Sequence, residues 1–241
     1  MFNKPILFLI FNRLNTAKQV FSVIRQVQPK YLYVASDGPR VDKESEKKEV
    51  DSVRQYVLAN VDWDCEVKTL FRDKNLGCGR AVSSAITWFF EQVEQGIILE
   101  DDVLPSKSFF TYCAELLDRY RDDEKIYHIA GCNVLEDVGL KDSYYFALMP
   151  GVWGWATWRR AWQKYQYDVD VQSLTEFIKQ RKINSVSPRR CDRRHWLNIF
   201  KSMQEHKIDT WDYQWVYTVF RSKRGYLKMY IQNHIWQSIM N

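Results

Sequence analysis

Short apolar runs and amphipathic stretches take turns along the first half of the chain. Runs at 6–11, 31–36, 65–70, 97–99 and 126–130 have the length and content of strands. Between them the apolar positions recur at helical spacing. Val20, Ile24 and Val27 share one face after Asn15 and Thr16, which are placed to cap it. Val50, Val53 and Val57 mark a surface helix over 44–58, and Val82, Ala85, Ile86 and Phe89 another over 79–94. Ser106, after Pro105, is placed to cap a helix whose Phe109, Phe110, Cys113, Leu116 and Leu117 turn inward. This alternation predicts β-α units feeding a mostly parallel, Rossmann-like sheet flanked by helices. Past Gly131 the texture changes to a Trp-rich run, "GVWGWATWRRAW", and then to helical patterns near 173–181, 193–205 and 211–221.

One run ends unlike the others. In "GIILEDDVLP" a buried strand passes straight into Glu100, Asp101 and Asp102. Open α/β sheets collect ligands at the carboxyl ends of their strands, which is where such a strand delivers its carboxylates. Three adjacent carboxylates repel and raise one another's proton affinity unless a cation neutralises them. Hard oxygen ligands suit Mg²⁺ or Mn²⁺, ions that keep water and bridge to a substrate's phosphates. The competing structural reading puts Asp102 at the positive end of the next helix dipole.

Other residues are expected at the same sheet edge. "FNR" places Arg13 after the first strand, and "SDGPR" places Asp37 after the second, beside the turn formers Gly38 and Pro39. "RDKNLGCGRAV" sets Gly77 and Gly79 before a helix with Arg80 in its first turn, an arrangement suited to an anion. As structural alternatives, Arg13 reads as a surface cation and Asp37 as a turn residue. No Walker or dinucleotide fingerprint is present.

The ordered set "FNR", "SDGPR", "NLGCGRAVSSAI", "IILEDDVLPS", "WGWATWRRAW" and "DTWDYQW" resembles the GT-A-fold nucleotide-diphospho-sugar transferases, in particular a bacterial group similar to the N-acetylglucosaminyltransferase I type. The resemblance runs over nearly the whole chain, with "LEDDV" its most specific element. It implies a single GT-A-like domain over 1–241, in which 1–130 form the nucleotide-sugar-binding half and 131–241 an acceptor-side helical, Trp-rich half. It implies Mn²⁺ or Mg²⁺ on Asp102, with Glu100 and Asp101 at the sugar or ribose. Arg13 would then meet the diphosphate, Asp37 a uracil and Arg80 the nucleotide or donor sugar. Family members continue past the last strand to a histidine that completes the metal site, a place that falls here to His234 of "YIQNHIWQSIMN".

Inverting sugar transfer needs a carboxylate to take the acceptor hydroxyl's proton. Asp212, between Trp211 and Tyr213, is the expected base, and the resemblance places an acidic residue in this region. Asp209 is the rival, Glu136 and Asp137 are weaker candidates, and a first-turn aspartate is the structural reading of Asp212. Trp153 and Trp155, beside Gly151 and Gly154, are candidates to meet a sugar from a mobile loop, against a plain core role for most of these tryptophans.

Composition narrows the class. The chain has 241 residues, 46% hydrophobic and 27% charged, with ten Trp and a net charge of +5. These are values of a soluble globular protein, and the charge does not call for nucleic acid. The basic cluster of "SPRRCDRRHW" reads as a solvated helix start; a lipid-linked or surface glycan acceptor would bring it to the inner face of a membrane. Five scattered cysteines without metal-ligand spacing favour reduced thiols and a cytosolic setting. "PILFLIF" is too short to span a membrane and lacks the flanks of a signal peptide. Three other readings stay open: a sugar-nucleotide pyrophosphorylase, although "FNRLNT" lacks its glycine-rich loop; a non-catalytic sugar-nucleotide or carbohydrate binder; and a metal-dependent phosphohydrolase.

Overall fold

The computed structural model describes residues 1–132, 143–147, 149–185, 187–222, 228–231 and 236–238. The five expected strands are present, with ends moved by up to two residues: β1 (Ile6–Ile10), β2 (Tyr31–Ser36), β3 (Glu66–Phe71), β4 (Gln95–Glu100) and, after a short β5 (Val103–Pro105), β6 (His128–Ala130). The second half adds β7 (Tyr144–Ala147), β8 (Trp155–Trp158), β9 (Lys228–Ile231) and β10 (Trp236–Ser238). The helices are α1 (Leu14–Val27), α2 (Glu46–Ala59), α3 (Gly77–Gln92), α4 (Lys107–Arg119), α5 (Arg159–Trp162), α6 (Val171–Lys179), α7 (Arg190–Gln204) and α8 (Asp212–Arg221).

One eight-stranded sheet, in the order β3-β2-β1-β4-β8-β6-β9-β7, runs through both halves. β1 lies parallel to β2 and β4, and β2 to β3, as the β-α alternation predicts. The sheet is mostly parallel, as expected, and its antiparallel pairs lie farther on. β8 is antiparallel to both β4 and β6, and β7 to β9, leaving β6 and β9 as the parallel pair there. Antiparallel neighbours need no crossover helix, so a strand can sit inside what reads as a tryptophan-rich lid. In "WATW", Trp155 turns to one face of the sheet while Ala156 and Trp158 pack on the other.

Alternating residues of the central strands feed two cores. Ile6, Phe8 and Ile10 pack with Val20, Phe21 and Ile24 of α1, Val53 and Val57 of α2, and Phe110 and Leu117 of α4. Leu7 and Leu9 face α3 and the helices of the second half. Within that second core Trp155, fully buried, stacks on Trp211 at 5.6 Å and on His128 at 4.8 Å. His128 is held from both ring nitrogens: Nδ1 accepts from Trp215 Nε1 at 3.2 Å and Nε2 lies 2.8 Å from the Gly151 carbonyl. A donor on Nδ1's side fixes the tautomer, so Nε2–H donates to Gly151. This cluster glues α8 to the sheet and sets the position of its first residue, Asp212.

Helix ends follow the sequence in part. Ser106 caps α4, its Oγ accepting from Phe109 N at 3.4 Å. The expected caps of α1 are not used: the cap position is Arg13, without a side-chain bond, and Thr16 Oγ1 donates back to the Arg13 carbonyl at 3.1 Å. Arg189, Arg190 and Arg194 stand exposed at the start of α7, the solvated arrangement anticipated for them. Among the described residues no helix is long and apolar enough to cross a membrane.

Candidate functional site

From β1 the chain passes to β2 and β3 on one side, whereas β4 lies on the other. This reversal opens a crevice beyond the carboxyl ends of β1 and β4, the usual seat of a ligand in such sheets. A cavity of about 440 Å³ occupies it, a size that suits a small-molecule ligand. Leu9, Ala35, Ala81, Val82 and Ala85 give it an apolar wall, and Arg13, Asp37, Arg40, Arg72, Glu100, Asp101 and Asp209 a charged one.

Arg13 is the hinge of the charged side. Its Nη2 donates to Asp101 Oδ1 and its Nη1 lies 2.8 Å from Asp102 Oδ2. Asp101, 2% exposed, also accepts from Phe11 N at 3.1 Å, so the ends of β1 and β4 are tied together through one carboxylate. Burial pushes the Asp101 carboxyl up although Arg13 and the Phe11 amide pull it down. β5 separates Asp102 from α4, so it does not serve as that helix's acidic N-terminus.

Glu100 has less such help. Among the described residues no hydrogen bond or ion pair engages its side chain, and burial, with Asp102, Asp101 and Asp212 nearby, pushes its carboxyl up to about 8 against the pull of the Arg13 charge. The sign of the consequence is fixed. A carboxyl raised on folding binds its proton more tightly in the native state, so its contribution is fully present below the unfolded value near 4.5 and is lost as pH rises through about 8. Glu100→Gln should therefore be more stable than the parent at neutral pH in chelator, on the order of 2–4 kcal/mol, with the difference vanishing toward pH 4.5. Urea unfolding from pH 4.5 to 8.5 tests this; parallel curves for the two proteins would refute it.

Asp37 ties two turns together. Its Oδ1 accepts from Gly38 N at 2.9 Å and its Oδ2 from Leu76 N at 2.9 Å, locking the end of β2 to the turn before α3. Asn75 closes the other side, donating to the Gly38 carbonyl at 2.9 Å. A Cβ on Gly38 would fall 2.5 Å from the Lys74 backbone, which is why this close approach uses glycine. Arg40 donates to the buried Glu46 from its backbone N and its guanidinium, and Asn12 Nδ2 donates to the same carboxylate at 3.0 Å.

The expected anion seat at the start of α3 already holds a carboxylate of the chain. Asp209 Oδ2 accepts from Cys78 N at 3.1 Å and Oδ1 from Gly79 N at 2.9 Å. Arg80 is drawn away from the cavity, 3.2 Å from Asp168 and over the Tyr167 ring at 4.6 Å. Asp212 opens α8 as a first-turn aspartate, accepting from Tyr213 N at 2.9 Å and from Thr210 Oγ1. It does not line the cavity, yet it is close enough for its charge to raise Glu100 and Cys78, both of which do.

Burial, aided by Glu100, Asp209, Asp212 and Asp37, pushes the Cys78 thiol up to about 11. Trp153 is half-exposed, whereas Trp155 is enclosed in the core and reaches no solvent. Glu136, Asp137 and His234 lie outside the described residues. Arg40, Arg72, Asn75 and Cys78 line the cavity without having been singled out as site residues. The first three sit in stretches read for their turns, "SDGPR" and "RDKN", where the charged or amide side chains were the signal to follow.

Among the described residues no three His, Cys, Asp or Glu side chains converge on one point as a protein-only metal cage would require. An ion held by one or two carboxylates and completed by phosphate and water needs no such cage. Asp102, whose Oδ1 is not engaged by Arg13, and Glu100, whose side chain no hydrogen bond or ion pair holds among the described residues, fit that kind of site.

No protein-family model matches the chain, and no curated protein matches it. Among solved structures it is similar to HddC from Yersinia pseudotuberculosis, at 9% identity and a TM-score of 0.42 over 69% of this chain and 82% of that one. It is also similar to S. aureus TarS 1-349, at 10% identity and 0.45 over 96% and 59%, and to a UDP-glucose pyrophosphorylase complexed with UDP-glucose, at 10% and 0.32 over 66% and 70%. The chain thus spans 59% of that TarS segment. At such values the likeness carries no functional weight, and the reading below rests on the geometry of the cavity.

Proposed function

We propose that this protein is a metal-dependent, inverting glycosyltransferase that moves a sugar from a nucleoside-diphosphate sugar, a UDP-sugar, to a hydroxyl acceptor such as a glycan or lipid-linked glycan. The observation that carries the reading is the charge balance of the cavity. Asp37, Glu100, Asp101 and Asp209 line it against Arg13, Arg40 and Arg72. Arg13 is engaged by Asp101 and Asp102, and Arg40 by Glu46. A diphosphate alone would be repelled, whereas one carrying a divalent cation would neutralise Glu100 and Asp102.

Mn²⁺ or Mg²⁺ held by Asp102 with Glu100 would offset charge developing on the departing nucleoside diphosphate. The apolar wall of Leu9, Ala35 and Val82 suits the flat face of a base, and Asp37 keeps lone pairs on its oxygens for a ring N–H. Arg13 fixes the direction of both aspartates. Asp212, from the second half of the chain and near enough for its charge to reach Glu100, would be the carboxylate that accepts the acceptor proton.

Calorimetric titration with UDP, GDP and UDP-sugars, with and without Mn²⁺, tests the reading. UDP should bind in the micromolar range only with metal, and Asp102→Ala should weaken it by at least about 100-fold. Equal binding with and without metal, or by the variant, would overturn metal dependence. UDP-sugar binding without turnover would make the chain a sugar-nucleotide-binding protein.

A further inference from the structure

The α3 helix has no side-chain cap of its own. Its cap position is Leu76; its Gly77 amide donates to Asn75 Oδ1 at 3.2 Å, and the next two, of Cys78 and Gly79, are met by Asp209, 130 positions beyond Gly79. The glycines of "GCG" clear that seat. A Cβ on Gly77, whose φ is 80°, would fall 2.6 Å from Asp209 Oδ2, and one on Gly79 would fall 2.7 Å from Oδ1 and 2.8 Å from the Thr210 carbonyl. Tyr167 OH stands 3.5 Å from the same carboxylate.

The residues after Asp209 are fixed from other directions. Thr210 Oγ1 donates to Asp212 Oδ1, the Trp211 carbonyl accepts from Tyr165 OH at 3.1 Å, and the Trp211 ring stacks in the tryptophan cluster. The 209–212 turn is therefore stretched between the cavity wall and the core.

We propose that Asp209 is a positioning residue: seated on the α3 amides, it holds Thr210 and through it the Asp212 carboxylate in the orientation that accepts the acceptor proton. This rests on the glycosyltransferase reading. It assigns the helix-start amides to a carboxylate of the chain itself and leaves the donor's diphosphate to the Arg13 side of the cavity. A carboxylate accepting two amide bonds at a helix start is a strong anchor, and a small displacement of a catalytic group lowers rate far more than binding.

The test measures UDP affinity with Mn²⁺ by calorimetry, and UDP release from a panel of UDP-sugars with water as acceptor. Gly79→Ala and Thr210→Val should each keep the UDP dissociation constant within about threefold while lowering the release rate by roughly 10- to 100-fold, and Asp209→Ala, which also removes a charge from the cavity wall, should lower the release rate by the same factor. Asp209→Asn, which keeps one acceptor oxygen, should retain more than about a third of the rate. Thr210→Val leaves the seat intact and removes the hydroxyl link, so its loss of rate cannot be assigned to misfolding of α3. Thermal unfolding supplies a readout independent of turnover, because Asp209→Ala and Gly79→Ala should be less than additive if they disturb one contact.

A parent that binds UDP and releases it from a UDP-sugar, with variants that keep the parent rate, would overturn the positioning role alone. Additive unfolding losses would overturn the seat. A parent that neither binds UDP nor turns over a UDP-sugar would overturn the glycosyltransferase reading and this role with it.

Discussion

Arg13→Met should lower stability by roughly 3 kcal/mol at neutral pH, a fall of about 6–12 °C in the unfolding temperature for a chain of this size. The cause is the carboxylate left behind. Asp101 is 2% exposed, and without the guanidinium only the Phe11 amide compensates its charge. Arg13 itself is partly exposed, which places the expected loss at the low end for a broken buried pair.

The pH dependence follows from the same carboxylate. Burial already holds its proton affinity above the ordinary value, and losing Arg13 raises it further. The variant's deficit is thus fully present at alkaline pH and shrinks as Asp101 takes up a proton on acidification. Asp101→Asn in the same chain should recover more than half of the loss. Differential scanning calorimetry of the single and double variants at two pH values decides this, and an Arg13→Met protein as stable as its parent would remove the arginine from the centre of the site.

Asp212→Asn should lower sugar transfer by about 10²- to 10⁴-fold while leaving metal-dependent UDP affinity within a few-fold. The substitution keeps the oxygen that accepts from Tyr213 N and Thr210 Oγ1, so α8 keeps its first turn and only the proton-accepting capacity is lost. Single-turnover transfer from a UDP-sugar that the parent uses gives the measurement. Unchanged turnover would exclude Asp212 as base and turn attention to Asp209, whose own variants would then affect chemistry directly.

The parallel half of this fold is legible because buried strands and amphipathic helices obey different periods, and each of the first four strands lies between clear turn residues. The acidic end of β4 is legible for a related reason: three carboxylates after four apolar residues violate the pattern of everything around them. The second half is harder. "WATW" and "YYFA" have no flanking helix pattern to frame them, and aromatic residues serve a sheet, a core and a sugar site equally well.

Trp155 shows the ambiguity at one position, since nothing in "GVWGWATWRRAW" says which tryptophan turns inward; the stacking on Trp211 and His128 decides it. Long-range pairing was also out of reach of local pattern. Arg80 and Asp168 are 88 residues apart, and only the fold shows that this arginine has a partner away from the cavity. The Asp209 seat is similar: the glycines of "GCG" signal a close approach, but not what approaches.

The pairing of β5 with β10 bears on the order in which the protein can be completed during synthesis. Trp236 pairs with Pro105 and Ser238 with Val103, so the strand just after the acidic triplet finds its neighbour among residues that leave the ribosome more than a hundred positions later. The Arg13 clasp on Asp101 and Asp102 needs only the first hundred or so residues, and chains fold from their N-terminal parts as these emerge. A nascent chain can thus close its electrostatic clasp while Asp209, Asp212 and β10 are still unmade. Asp101 and Asp102 can acquire their arginine before the far wall of the cavity exists.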